Sequence, residues 1–402
     1  MKKLTSALRV ITILLLLSTL AFPCTTAIVS GKYTKDGRPL MFKHRDSGFF
    51  QNKMMYFDDG KFNYIGLINS EDKSGDEVWA GSNSAGFSIM NSASYNLNMN
   101  DGVKLKDREG VVMKKALQEC ATLADFEKLL DNWEKPMGVE ANFGVIDAFG
   151  GAAYYETSNY SWKKFDATDD NTAPHGYLIR TNYSVSGSEG DGYGYIRYKT
   201  ADELFTMADN GAALTSEFII QSVSRCLKHS LTGIDLAKSS SEFVHFEDFI
   251  PRYSSVSTMV VEGLKEGEPV ELTTIWSVLG FQLTSVAIPM WVAAGPNLPE
   301  ILVANKSGVA PLCDMSLKVK ESCFPINRGS GKRYINAKSL VNEENTGIIQ
   351  KLAPVEKEIV SKGRGLITSW RNGKFVKTDA ENYYKFVSDY VRENYKKLFS
   401  VN

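Results

Sequence analysis

The stretch CTTAIVSGKYTKDGRPLMFKHRD, residues 24–46, decides how this chain is read. CTTAIVSGKY reads as a strand, TKDGRP supplies turn residues, and LMFKHRD reads as the returning strand. With Asp36-Gly37 as a two-residue turn, Tyr33 faces Leu40 and Ala27 faces Asp46. Asp46 then comes back to roughly 10 Å from the Cys24 backbone, at ~3.4 Å per residue. Strand alternation puts Lys43 and Arg45 on one face of the second strand, with His44 and Asp46 on the other. A cation near a thiol favours the thiolate. A carboxylate nearby can hold an amine in position.

Upstream of Cys24, Lys2, Lys3 and Arg9 flank the apolar run VITILLLLSTLAF, residues 10–22. This is the pattern of a signal peptide, and the run is too short for a transmembrane helix. Residues 1–23 are therefore expected to be a signal peptide with a short remnant, and 24–402 a single domain that is periplasmic or secreted. Cleavage after Ala21 leaves Phe22-Pro23 ahead of Cys24, so exposing Cys24 needs a second step, such as self-cleavage. The alternative is a membrane-anchored lipoprotein with Cys24 lipidated and a binding role. Pro23 fits that reading poorly, because the position before a lipidated cysteine takes a small residue.

The formal net charge is −1, and about −4 without Lys2, Lys3 and Arg9, which gives no basic surface for nucleic acid. A small-molecule amide or a peptide is the expected partner, with no stable membrane span after processing and a homo-oligomer left open. Cysteines stand at 24, 120, 226, 313 and 323, an odd number that leaves at least one thiol unpaired. Cys120 and Cys226 follow apolar helical stripes and read as core thiols. Cys313 and Cys323 are close enough in sequence for a disulfide, which geometry must decide. There is no Cys-x-x-Cys pair and the four histidines are scattered, so neither a metal site nor a cofactor is expected.

Residues 24–98 read as short strands separated by turns. Residues 107–134 have helical periodicity with a break at Ala121-Thr122. Strands resume over 141–157, where DAFGG marks a hairpin turn, and again at HGYLIRTNY. Helices are expected near TADELFTMADN and SEFIIQSVSRCLKH, a second β block from 257 to 295, and an amphipathic helix over 379–399. Strand and helix blocks in this order indicate an α+β fold rather than alternating βαβ units.

A cysteine at a mature N-terminus carries a thiol and an α-amine on one residue, with ordinary pKa values within about a unit of each other. The amine can take the thiol proton, directly or through water, so nucleophile and base form one unit and no catalytic histidine is needed. The opening CTTAIVSGKYTKDGRPLMFKHRD resembles that of the N-terminal-nucleophile cysteine hydrolases. The likeness is to the acyl-coenzyme A:6-aminopenicillanic acid acyltransferase-like group, with choloylglycine hydrolases, penicillin V acylases and cysteine dipeptidases as relatives. Further similar stretches are AGSNSAGFSIMNSASYNL, ANFGVIDAFGGAAYYET, YLIRTNY and IWSVLGFQLTSVAIPMWVAAG, so the likeness runs from Cys24 to about residue 300.

The resemblance implies a four-layer αββα sandwich and amide cleavage or acyl transfer through an acyl-enzyme on Cys24. It places Asp46 at the end of the family's Arg-Asn-x-Asp-like motif. Lys43 falls where many relatives have arginine, with Arg45 as the other candidate cation. Asn91 and Asn182 are the implied oxyanion donors, each such donor being worth ~10²–10³ in rate. Arg197, at a helix start, is placed to steady Cys24 or a substrate carboxylate. Asp147 and Glu156 are expected to shape their hairpin, Asn83 to form a turn before Gly86, and SGSEGDGYGY to be a mobile loop over the site. A papain-type protease is excluded by the lack of its cysteine signature.

Overall fold

The computed structural model describes residues 23–208 and 214–401; the expected signal peptide lies outside the described residues apart from Pro23. Two antiparallel sheets form the middle of the molecule. The first contains β1 (Thr25–Val29), β2 (Leu40–Asp46), β10 (Tyr177–Arg180), β12 (Ser255–Glu262), β13 (Thr274–Leu279) and β14 (Ile288–Met290), in the order β10-β1-β2-β12-β13-β14. The second is a meander of β3 (Asn52–Phe57), β4 (Tyr64–Asn69), β5 (Ala80–Asn83), β6 (Ser88–Ala93), β7 (Ala141–Ile146), β8 (Ala152–Thr157) and β9 (Trp162–Asp166), and a separate pair joins β11 (Phe243–His245) to β15 (Tyr334–Asn336). β1 and β2 pack face to face against β6 and β7.

The period of two along each strand builds the layers. In β8, Ala152 and Tyr154 join the core between the sheets, whereas Ala153 and Tyr155 join a separate core under helices α1 (Glu109–Glu119) and α2 (Leu123–Asn132). Gly144 on β7 lets the sheets approach: a Cβ there would lie 2.3 Å from Met90 Cε and 3.1 Å from Ile28. The first sheet is covered by α3 (Tyr195–Met207), α4 (Pro311–Cys323), α5 (Ile348–Asn372) and α6 (Lys377–Phe399). Trp291, just after β14, stacks on Tyr384 of α6 and meets Trp370 of α5 edge-on, which pins this outer layer. The architecture is an α+β, four-layer αββα sandwich.

Local signals account for the boundaries near the site. Thr122 caps α2 in a capping box with Asp125, the break expected from the sequence. Asp147 accepts from the backbone N–H groups of Phe149 and Gly151 inside its turn and also from Leu123, so it ties the hairpin to α2. Asn83 accepts from Ala85 and Phe87 and donates to the carbonyls of Leu117 and Cys120 at the end of α1.

Two expectations need correction. The β1–β2 connection is not a two-residue turn: Thr25 pairs with His44 and Ala27 with Phe42, not with Asp46. Residues 30–39 form a longer excursion with a 3₁₀ turn at Gly31–Tyr33, held by Ser30 Oγ and by Thr34 Oγ1 donating to the Arg38 carbonyl. The shift is an even number of residues, so the inward and outward faces of β2 are unchanged. Cys313 and Cys323 stand at opposite parts of one helix, about 15 Å apart along its axis at 1.5 Å per residue. Both are free, as are the other three cysteines, because a disulfide needs Cα atoms within about 7 Å.

Candidate active site

Cys24 sits at the entry to β1 and is buried. Its nitrogen is the amide of the Pro23–Cys24 bond and stands where an α-amine would stand if that bond were cut. This nitrogen donates to Asn182 Oδ1 at 2.7 Å. Arg197 Nη2 donates to the same oxygen at 2.8 Å, while Arg197 Nη1 donates to the Cys24 carbonyl and, at 2.9 Å, to Thr25 Oγ1. Both backbone polar atoms of Cys24 are therefore gripped by buried side chains.

The grip follows from topology. β10 runs antiparallel to β1, with Thr26 opposite Arg180, so the residues after β10 lie beside the start of β1. Arg197 is in the first turn of α3, which Gly194 leads into at φ +88°. Burial lowers the Arg197 pKa to about 9, Arg252 adds to that, and Asp46 opposes it.

Lys43 and Arg45 lie on the face of β2 that meets the second sheet. Continuing the register one residue past Thr25–His44 sets Cys24 opposite Arg45, on this same face. Lys43 Nζ donates to Asn91 Oδ1 and to the Trp79 carbonyl, each at 2.6 Å. Burial lowers its pKa to about 7, and charge on Cys24 raises it. Asn91 accepts through Oδ1, which leaves its Nδ2 as the donor end. Asn182, by contrast, uses Oδ1 for Cys24 and Arg197 and donates Nδ2 to the Ala93 carbonyl at 2.9 Å. Both ends of the Asn182 amide are thus engaged within the protein, its oxygen by Cys24 and Arg197 and its nitrogen by Ala93.

Asp46 and His44 point to the other face. Asp46 Oδ1 accepts from Ser255 Oγ at 2.5 Å, and Oδ2 lies 3.4 Å from Arg252 Nε. Burial raises the Asp46 pKa, against the pull of Arg252 and Arg197. His44 Nε2 lies 2.8 Å from Ser255 Oγ, and burial pushes its pKa well below the usual value, so the ring is neutral. The Cys24 nitrogen is thus bonded to Asn182, while Asp46 acts on Arg197 by charge. Arg252 was not singled out from the sequence. A β-bulge between Ser255 and Ser257 opposite β2 sets its neighbourhood, and only the Pro251-Arg252 step ahead of a strand could have hinted at it.

The first part of the loop after Asn182, residues 184–188, is hydrogen-bonded to neighbouring elements. Asn96 Nδ2 donates to the carbonyls of Ser184 and Ser188, and Glu156 accepts from the N–H groups of Val185 and Ser186 while pairing with Arg180 at 2.7 Å. Glu156 therefore does more than shape its hairpin. Two cavities, of about 180 and 330 Å³, lie against β10 and α3 and against α1 and α2; neither is lined by Cys24. Among the described residues no three His, Cys, Asp or Glu side chains converge as metal ligands, and no helix is long and apolar enough to cross a membrane.

No protein-family model matches the chain, and no curated protein matches it. Solved structures that it is similar to include a Caenorhabditis elegans ortholog of N-acylethanolamine-hydrolyzing acid amidase, at 12% identity and TM-score 0.38, covering 59% of this chain and 92% of that one. A variant of conjugated bile acid hydrolase from Clostridium perfringens aligns at 12% identity and TM-score 0.41, covering 67% and 93%. Penicillin V acylase from Agrobacterium tumefaciens aligns at 9% identity and TM-score 0.37, covering 67% and 86%.

Proposed function

We propose that the chain is an exported N-terminal-nucleophile cysteine hydrolase that cleaves a carbon–nitrogen amide bond through an acyl-enzyme on Cys24. The observation that carries this reading is the grip on Cys24. A buried asparagine holds its nitrogen, a buried arginine holds its carbonyl, and its side-chain face carries Lys43. An ordinary core cysteine needs none of these.

In the proposed sequence the Cys24 thiol first attacks the Pro23 carbonyl. The peptide C–N bond breaks as the thioester forms, the thiol proton passing to the departing nitrogen and freeing the α-amine, and water then hydrolyses the thioester to a Pro23 carboxylate and the free thiol. The mature amine keeps its bond to Asn182 and takes the thiol proton as the thiolate attacks a substrate carbonyl. Asn91 Nδ2 is the proposed donor to the resulting oxyanion. The amine returns the proton to the departing nitrogen, and water, or an acceptor amine, resolves the acyl-enzyme. Edman sequencing and intact mass of the exported protein test the first step. The expected start is an unmodified Cys24; a chain beginning at Phe22, or a lipidated Cys24, ends this reading.

The pH dependence has a definite sign. The amine must be neutral to act as base, which sets an acid limb near its ordinary pKa of about 7.7–8.0. Lys43 is charged only below its lowered pKa of about 7, or higher once a thiolate forms beside it, so its help fades as pH rises. The kcat/KM profile is expected to be bell-shaped, and Lys43→Arg to move the alkaline limb upward by more than a unit, since arginine keeps its proton. An unchanged alkaline limb in that variant would remove Lys43 from the mechanism.

A further inference from the structure

Arg45 is a buried cation whose charge no acidic group pairs with among the described residues. Its Nη1 donates to Asn52 Oδ1 at 2.6 Å and its Nη2 to Asn69 Oδ1 at 2.9 Å. Asn52 and Asn69 are directly opposite each other across β3 and β4, so together they form a two-pronged neutral acceptor. Asn52 is itself locked by donating Nδ2 to the Phe49 carbonyl at 2.9 Å. The Trp79 ring caps the guanidinium, with its centroid 4.8 Å from Arg45 Cζ. These contacts fix the orientation of Arg45 through neutral groups, and Glu77, Asp46 and Glu71 act on its charge only from a distance, without forming an ion pair.

Of the other largely buried arginines, Arg180 is paired with Glu156, Arg225 with Glu356 and Arg38 with Glu268, while Arg197, also without a carboxylate partner, is spent on Cys24, Thr25 and Asn182. A buried unpaired charge is costly, and a fold that keeps one on the nucleophile's face has a use for it. Two of the five guanidinium N–H donors are spent on the asparagines, leaving enough for a bidentate contact to a carboxylate. Burial lowers the Arg45 pKa only to about 10, so it stays charged at neutral pH.

From this placement we infer that Arg45 is an anion-recognition residue and that the substrate is an amide carrying a carboxylate near its scissile carbonyl. The inference rests on the amidase reading for its substrate, but the anion site can be tested without turnover. Iodoacetate and iodoacetamide alkylate a thiolate by the same displacement of iodide and differ in one negative charge. The ratio of their rates at Cys24, followed by peptide mass spectrometry, is expected to exceed that of free cysteine by about 10- to 100-fold, the worth of a charge-assisted contact. Arg45→Gln should return the ratio toward that of free cysteine, and Arg45→Lys should retain part of it.

Turnover then locates the carboxylate. Preference for an N-acylglycine over the matching N-acyl-methylamide puts it on the leaving amine, and preference for a glutaryl over a pentanoyl amide puts it on the acyl part. A wild-type alkylation ratio equal to that of free cysteine overturns the inference. So does a ratio that Arg45→Gln leaves unchanged, or equal turnover of all four amides. If no amide is cleaved while the alkylation ratio behaves as expected, the anion site stands and the amidase reading falls.

Discussion

Replacing Cys24 with alanine should leave a folded protein with no measurable amidase activity, a loss of about 10⁴-fold or more, as when a nucleophile is removed from a triad enzyme. The same variant should also accumulate with Phe22-Pro23 still attached, because one thiol is proposed to do both cleavages. The side chain is small and buried at the start of a strand, so its truncation should cost little stability. A panel of N-acyl amides and dipeptides, assayed with thermal melting as the folding control, checks this. Activity on any substrate that persists unchanged in Cys24→Ala would remove Cys24 as the nucleophile.

Arg197→Met should lower kcat/KM by about 10²-fold or more, since misplacing a reacting group by about 1 Å is enough for that loss. Arg197 touches the Cys24 carbonyl, Thr25 Oγ1 and Asn182 Oδ1, so its loss frees the Cys24 carbonyl and removes a contact that steadies Asn182, which holds the Cys24 nitrogen. The variant also leaves buried acceptors without a donor, at about 1–3 kcal/mol each. A second variant separates geometry from charge. A Cβ at Gly194 would lie 2.1 Å from Arg197 Nη2 and 3.0 Å from Thr181 Cβ. Gly194→Ala should therefore push the guanidinium out of place while keeping it charged. Its effect is expected in kcat with a smaller change in KM, and equal activity to wild type would show that the Arg197 contacts do not position Cys24.

Much of this was legible in the chain because it is written in short-range signals. The period of two across 141–157, the DAFGG turn and the Thr122 break each depend on neighbours a few residues away, and each appears where expected. The helices α4 and α5 were not read. α5 carries Pro354 in its interior, along with Gly363 and Gly365, and these mask a helix that packing against β14 sustains. The hairpin register was misread because Ser30 and Thr34 close their own local turns, an arrangement that competes with the tighter two-residue turn.

For the site the division is similar. The residues 24–46 alone determined that Lys43 and Arg45 share one face and His44 and Asp46 the other, because strand alternation survives an even shift of register. What only the tertiary structure decided is the partner of each group. Asn182, 158 residues away in sequence, takes the Cys24 nitrogen that Asp46 was expected to hold. Lys43 goes to Asn91 while Arg45 goes to Asn52 and Asn69, and Arg252 comes to Asp46 through a bulge. A strand fixes which way a side chain points, but which group it meets depends on the sheet that folds over it.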